Sequence, residues 1–187
     1  DSGASKVAVG NVFALAVRTD GTLWSWGYNN KGQLGQNSVS NYSSPVQVGI
    51  DDNWSSDPKH WAPSEEQTAS IKTDGTLWAW GRNSWGSLGQ NQASLQLDGA
   101  SSPVQIGAKK WKVIAGGSES FAGIRDDGTL YSWGVDTNGQ LGLNDSTKRS
   151  SPTQIGTDND WMTIVGGRGD QMYAAIRRGD NPNYQGE

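Results

Sequence analysis

The sequence predicts an all-β protein, a β-propeller in which small antiparallel sheets stack around an axis. Three observations carry that expectation. First, the pattern Asp-Gly-Thr-Leu-(Trp/Tyr)-(Ser/Ala)-Trp-Gly occurs at Asp20–Gly27, Asp74–Gly81 and Asp127–Gly134, its Asp recurring after 54 and then 53 residues. A fixed period of this kind marks one supersecondary unit copied and stacked. Second, each copy is followed by the same blocks in the same order. Gly-x-Leu-Gly comes at 32–35, 86–89 and 139–142, Ser-Ser-Pro-x-Gln-(Val/Ile)-Gly at 43–49, 101–107 and 150–156, and a lone Trp at 54, 111 and 161. Third, 26 glycines with abundant Ser, Asn and Asp leave only short apolar runs between turns, which suits strands and leaves no 3.6-residue periodicity.

Within a unit, an apolar run ending in a basic residue comes first: Phe13–Arg18, Ala69–Lys72 and Phe121–Arg125. Asp-Gly follows, a dipeptide suited to a type I′ hairpin. The return strand Thr22–Trp26 puts Leu23 and Ser25 on one face and two indoles on the other. Neither face is polar, so the strand expects a neighbouring sheet on each side; a lone sandwich sheet would have one solvated face. Gly27, Gly81 and Gly134 end that strand, Gly-x-Leu-Gly makes a tight turn with its Leu inside, and Pro45, Pro103 and Pro152 mark a strand start or edge. A fourth apolar run, Tyr173–Arg177, is followed by Arg178-Gly179-Asp180 where the hairpin belongs. Units of approximately 7–53, 54–110, 111–160 and a partial 161–187 give about 3.5 repeats in one propeller segment spanning residues 1–187. A β-helix would need much shorter rungs.

These blocks resemble the RCC1 (regulator of chromosome condensation 1) repeat family, especially its bacterial and phage forms. The matching elements are Asp-Gly-Thr-Leu-Trp-Ser-Trp-Gly, Asn-x-x-Gly-Gln-Leu-Gly at 29–35, Ser-Pro-Val-Gln, and Trp-x-x-Ile-Ala-Gly-Gly at 111–117. The resemblance implies a seven-bladed ring of four-stranded antiparallel blades, of which about half is present. It also implies, as one alternative, guanine-nucleotide exchange on a small GTPase, the founding member's activity. A half-ring leaves blade faces whose indoles would each bury ~150–250 Å². Further repeats of the same chain, self-association of half-rings, or a protein partner would have to cover them. The chain opens Asp1-Ser2-Gly3 without Met, which reads as a segment of something longer.

Composition narrows the function classes. A net charge of −4 with scattered basic residues argues against nucleic acid as partner. No apolar stretch approaches the ~20 residues of a membrane-spanning helix, and no signal-peptide pattern stands at the start. Zero cysteines and one histidine leave no thiolate chemistry and no zinc ligand set. Asp136-Thr137-Asn138-Gly139 begins like a calcium loop, but no Glu follows at the twelfth position. No catalytic constellation, metal site or cofactor is expected.

Residues that break the repeat are the candidate partner contacts, since loops carry function and aromatics dominate interface hot spots. Trp85 replaces Lys31 and Asn138. Trp61 and His60 lie in a segment lengthened from 24 to 29 residues between Pro and the next Asp, and Leu95 and Leu97 lie in an insertion that stretches Gly89–Pro103 to 14 residues against 10 elsewhere. The expected function is a non-enzymatic interaction or structural propeller module, in an extracellular or virion setting of bacterial or phage origin. The alternative from a different class is a carbohydrate-binding propeller using Trp61 and Trp85 as stacking platforms.

Overall fold

The structure, a computed structural model, describes residues 3–92, 99–166 and 173–178. Its strands are β1 (Ala4–Val9), β2 (Phe13–Arg18), β3 (Leu23–Gly27), β4 (Tyr42–Gln47), β5 (Trp61–Pro63), β6 (Gln67–Ile71), β7 (Thr76–Gly81), β8 (Ala100–Gly116), β9 (Ser120–Arg125), β10 (Leu130–Gly134), β11 (Arg149–Gln154), β12 (Trp161–Gly166) and β13 (Tyr173–Arg177). All pairings are antiparallel between consecutive strands. Blade 1 is β1-β2-β3-β4. Blades 2 and 3 are each four-stranded but share β8, whose first part closes blade 2 against β7 and whose second part opens blade 3 against β9. Blade 4 consists of β12-β13 among the described residues.

The repeated octapeptide builds the turn between the second and third strands. Gly21, Gly75 and Gly128 take φ of 79°, 83° and 85°, while the preceding Asp residues keep ordinary φ. The Gly21 N–H donates to Arg18 O, and the Arg18 N–H to Thr22 O. This is a three-residue loop with a left-handed Gly bulge, not the type I′ hairpin expected from Asp-Gly, which would need positive φ at both positions. Thr explains the difference. Asp74 Oδ1 accepts from both the Thr76 N–H (2.9 Å) and the Thr76 hydroxyl (2.6 Å), an Asx turn that holds Asp in its own pocket. Thr76 Oγ1 in turn accepts from Trp78 Nε1 at 2.9 Å, and Asp20-Thr22-Trp24 repeats the relay. These bonds, chiefly the Thr hydroxyl's, lower the pKa of Asp20, Asp74 and Asp127.

Packing follows the alternation. Leu23, Ser25, Leu77, Ala79, Trp80 and Trp133 are fully buried. Trp80 of blade 2 sits in one cluster with Phe13, Leu15, Val17, Leu23 and Leu34 of blade 1, and Trp133 of blade 3 likewise sits among blade 2's Ile71, Leu77 and Leu88. The last indole of each third strand therefore packs on the preceding blade. Trp26, the equivalent in blade 1, is only half-buried. At the other end, Ile71 and Ile124 are wholly covered, while their counterpart Ile176 is 55 % exposed. The two ends of the stack are open faces.

The first strands of the blades lie side by side on the inner surface, where β1, β5, β8 and β12 border a groove of about 450 Å³. Trp61 belongs to this inner layer. It was expected in an exposed loop, but it is 7 % exposed, pairs with Ser70 in β5, and packs 6.0 Å from Trp54. The insertion lies within Ser55–His60, which separate Trp54 from β5, whereas only Lys112 and Val113 separate Trp111 from the equivalent stretch of β8.

Candidate functional site

The long loops between third and fourth strands share one frame. Asn29 Oδ1 accepts from the Leu34 N–H (2.9 Å), and Asn29 Nδ2 donates to Ser38 O (2.8 Å) and Ser40 O (2.9 Å). Leu34 is thereby tucked inward, its carbonyl accepting from Ser25 Oγ at 2.8 Å. Asn83 repeats the first bond to Leu88 at 3.0 Å, and Asp136 to Leu141 at 3.2 Å.

Each loop also stitches its blade to the next. Asn37, at φ 53°, donates its N–H to Ser101 O, and Asn91, at φ 57°, donates to Ser150 O, both at 2.7 Å. Trp80 Nε1 donates to Gln33 O of blade 1 at 2.9 Å. On the opposite edge, the N–H groups of Trp54, Trp111 and Trp161 donate to Gly21 O, Gly75 O and Gly128 O of the preceding hairpins. The blocks that recur in the sequence are thus the contacts between blades.

Trp85 stands apart. It sits at the centre of the 3-10 turn Ser84–Gly86 with φ 56° and ψ 26°, and 45 % of it is exposed. Lys31 and Asn138, its repeat counterparts, keep negative φ. A bulky side chain in the left-handed region costs roughly 1–2 kcal/mol. The Lys148 ammonium of blade 3 lies 3.0 Å from the Trp85 ring centroid, a cation–π contact that fixes one ring face and leaves the rest to solvent.

His60 closes the insertion. Its Nδ1 lies 2.7 Å from Ser55 Oγ, which also accepts from the Asp57 N–H at 3.1 Å; Trp61 Nε1 donates to Ser55 O at 2.6 Å. The ring faces the main chain of Lys112. Ser55 is buried and its oxygen is committed to this turn, so the Ser-His pair is a clasp between blades 2 and 3, without the exposed hydroxyl a nucleophile needs. Burial lowers the His60 pKa from 6.5, partly opposed by Asp57 and the Lys112 main chain. A depressed value means that the unfolded chain binds the proton more readily. Stability from this group is present above about 6.5 and is lost as pH falls through the folded value. Urea unfolding between pH 7.5 and 5 should therefore show a declining midpoint, and H60Q should flatten that decline. The three hairpin Asp residues titrate only below their usual value of 3.8 and do not enter this window.

Leu95 and Leu97 lie outside the described residues. Glu65 and Glu66 occupy the turn before β6, where Glu66 pairs with Arg82 at 2.8 Å and Glu65 accepts from Ser118 Oγ at 2.9 Å. Among the described residues no group of three or more His, Cys, Asp or Glu could hold a metal ion.

Comparison with known proteins rests on the same blocks. The family profile described as the regulator of chromosome condensation (RCC1) repeat matches residues 20–57, 74–122 and 127–169. This chain belongs to the RCC1 repeat family. A second profile of the same description matches 4–33 and 111–140. Among curated RCC1-repeat relatives, the zebrafish (Danio rerio) protein RCC2 homolog is 33 % identical over 137 residues, 72 % of this chain and 27 % of that protein. The Arabidopsis thaliana ultraviolet-B receptor UVR8 is 28 % identical over 163 residues, 87 % of this chain and 36 % of the receptor. The mouse (Mus musculus) probable E3 ubiquitin-protein ligase HERC4 is 26 % identical over 161 residues, which is 15 % of the ligase. The chain thus spans a minor part of each relative. All three are eukaryotic, which lends the expected bacterial or phage origin no support. Of solved structures, Saccharomyces cerevisiae Prp20p, described with its binding to Gsp1p and histones, superposes with a TM-score of 0.77 at 22 % identity, over 93 % of this chain and 44 % of Prp20p. That likeness establishes the propeller fold.

Proposed function

We propose that this chain is a non-enzymatic protein-interaction module, a run of RCC1-type blades that presents the loop around Trp85 to a protein partner. The observation that carries the proposal is the conformation of Trp85. The fold does not require an aromatic there, since blades 1 and 3 build the corresponding turn with Lys31 and Asn138 at negative φ. A half-exposed indole held in a strained conformation is the kind of cost that persists at binding sites. The binding of Prp20p to Gsp1p and histones, and its complex with Kap60, supports protein recognition by this architecture. Exchange activity on a small GTPase remains the family-based alternative, and nucleotide release assayed with candidate GTPases decides it.

Further repeats of the same polypeptide best account for the open faces. Self-association of half-rings is the alternative, and the mass of the chain in solution separates the two. The acidic, cysteine-free composition is the support for an extracellular or virion setting; recovery of the chain from a cytosolic fraction would remove it.

W85N tests the site. Asn tolerates the left-handed region, so W85N should unfold at or slightly above the wild-type midpoint while losing crosslinking to the partner that a photoreactive residue at Lys148 captures in the wild type. Unchanged crosslinking by W85N would refute the assignment. Binding on a glycan array that W85N abolishes would favour the carbohydrate alternative.

A further inference from the structure

The first and third long loops are the same length, yet one position changes chemistry. Asn29 and Asn83 are followed in the third copy by Asp136, with no insertion between Gly27–Ser43 and Gly134–Ser150. Asp136 is 0 % exposed, and its Oδ2 has no hydrogen-bond partner. Its orientation is set by the other oxygen, since Oδ1 accepts from the Leu141 N–H as Asn29 Oδ1 does from Leu34. Oδ2 therefore occupies the place of the Asn29 amide nitrogen. In blade 1 that nitrogen donates to two main-chain carbonyls, Ser38 O and Ser40 O, whose counterparts in blade 3 belong to Asp145 and Thr147. A donor has been replaced by an acceptor in a slot whose other members accept too. The Arg149 guanidinium of the same blade is engaged with Asp145 Oδ2 at 2.7 Å and Thr147 O at 2.6 Å.

A buried carboxylate facing carbonyl oxygens must be neutralised, by a proton on Oδ2 or by a bound cation. We infer that Asp136 Oδ2, with the main-chain carbonyls of Asp145 and Thr147, forms a site for a hard divalent cation of the calcium class. Calcium accepts carboxylate, carbonyl and water oxygens in flexible arrangements at about 2.3–2.6 Å, and each carbonyl keeps a second lone pair when it accepts one hydrogen bond. Magnesium demands a near-ideal octahedron and holds its waters, which a slot of fixed carbonyls does not suit. The site differs from the helix-flanked calcium loop, and it is independent of Trp85. With one carboxylate its affinity falls on the order of 10⁻⁴–10⁻³ M, the weak end of protein calcium sites.

The test uses the 187-residue chain, stripped with EDTA and unfolded thermally while indole fluorescence is followed. Calcium chloride at about 10 mM should raise the midpoint by roughly 4–7 °C, more than magnesium chloride does and with sodium chloride at matched ionic strength as control. D136N installs the residue that blades 1 and 2 already use, so it should fold. It should lose the calcium response and reduce indole-sensitised terbium luminescence at least tenfold. A midpoint insensitive to calcium, or an equal response in D136N, would overturn the site. An equal response to magnesium that D136N removes would overturn the calcium assignment.

Discussion

Replacing Trp80 by alanine is expected to lower the unfolding free energy by about 3–5 kcal/mol, a large fraction of the stability of an ordinary domain. Trp80 is wholly buried between blades 1 and 2, touching Trp54 edge-on at 5.6 Å and donating to Gln33 O. Removing it opens a cavity in the cluster between the two blades, and it leaves the Gln33 carbonyl without its donor. The identical change at Trp26, on the uncovered face of blade 1, should cost less than half as much. Equal losses in W80A and W26A, read by urea unfolding, would mean that blade stacking is not what buries these indoles.

A second contrast at one repeat position comes from glycine. Gly32, Gly86 and Gly139 hold nearly the same φ of 77°, 78° and 75°. A Cβ built on Gly32 would lie 2.6 Å from Ser101 Cα, and one on Gly86 would lie 2.4 Å from Ser150 Cβ, whereas one on Gly139 meets nothing within 4 Å. All three alanine variants carry the left-handed penalty of ~1–2 kcal/mol. G32A and G86A add an overpacking term of about 1–3 kcal/mol, because the obstructing atoms include the backbone of the next blade. G139A should therefore be the mildest by a clear margin. If it destabilises as much as G86A, the face of blade 3 is covered by something these residues do not show.

The blade pattern was legible because many recurring residues perform the same contact from blade to blade. Asp20, Thr22 and Trp24 lock one hairpin, and Asp74, Thr76 and Trp78 lock the next through identical bonds. The turn type was not legible from Asp-Gly, since both hairpin classes accept that pair; the Thr two residues on was the signal for an Asx turn. Trp61 misled for a different reason. It lies in a segment five residues longer than its counterpart, and that lengthening suggested a loop. Aligning Trp61-Ala62-Pro63 with Ile114-Ala115-Gly116 would have placed it in the inner strand, where each pairs with the equivalent residue of the following strand. Trp85 was found as a departure from its column, but its backbone strain could only come from coordinates. Asp136 stood in an Asn column, yet its significance depends on which oxygen faces the carbonyls.

The 17-residue strand β8 makes blades 2 and 3 continuous through a single backbone span, while blades 1 and 2 are joined by the irregular stretch from Val48 to His60. A tensile load applied along the polypeptide would meet its compliant element in that stretch. The pair sharing β8 would bear the load as one stiff body, so blade 1 would peel away first.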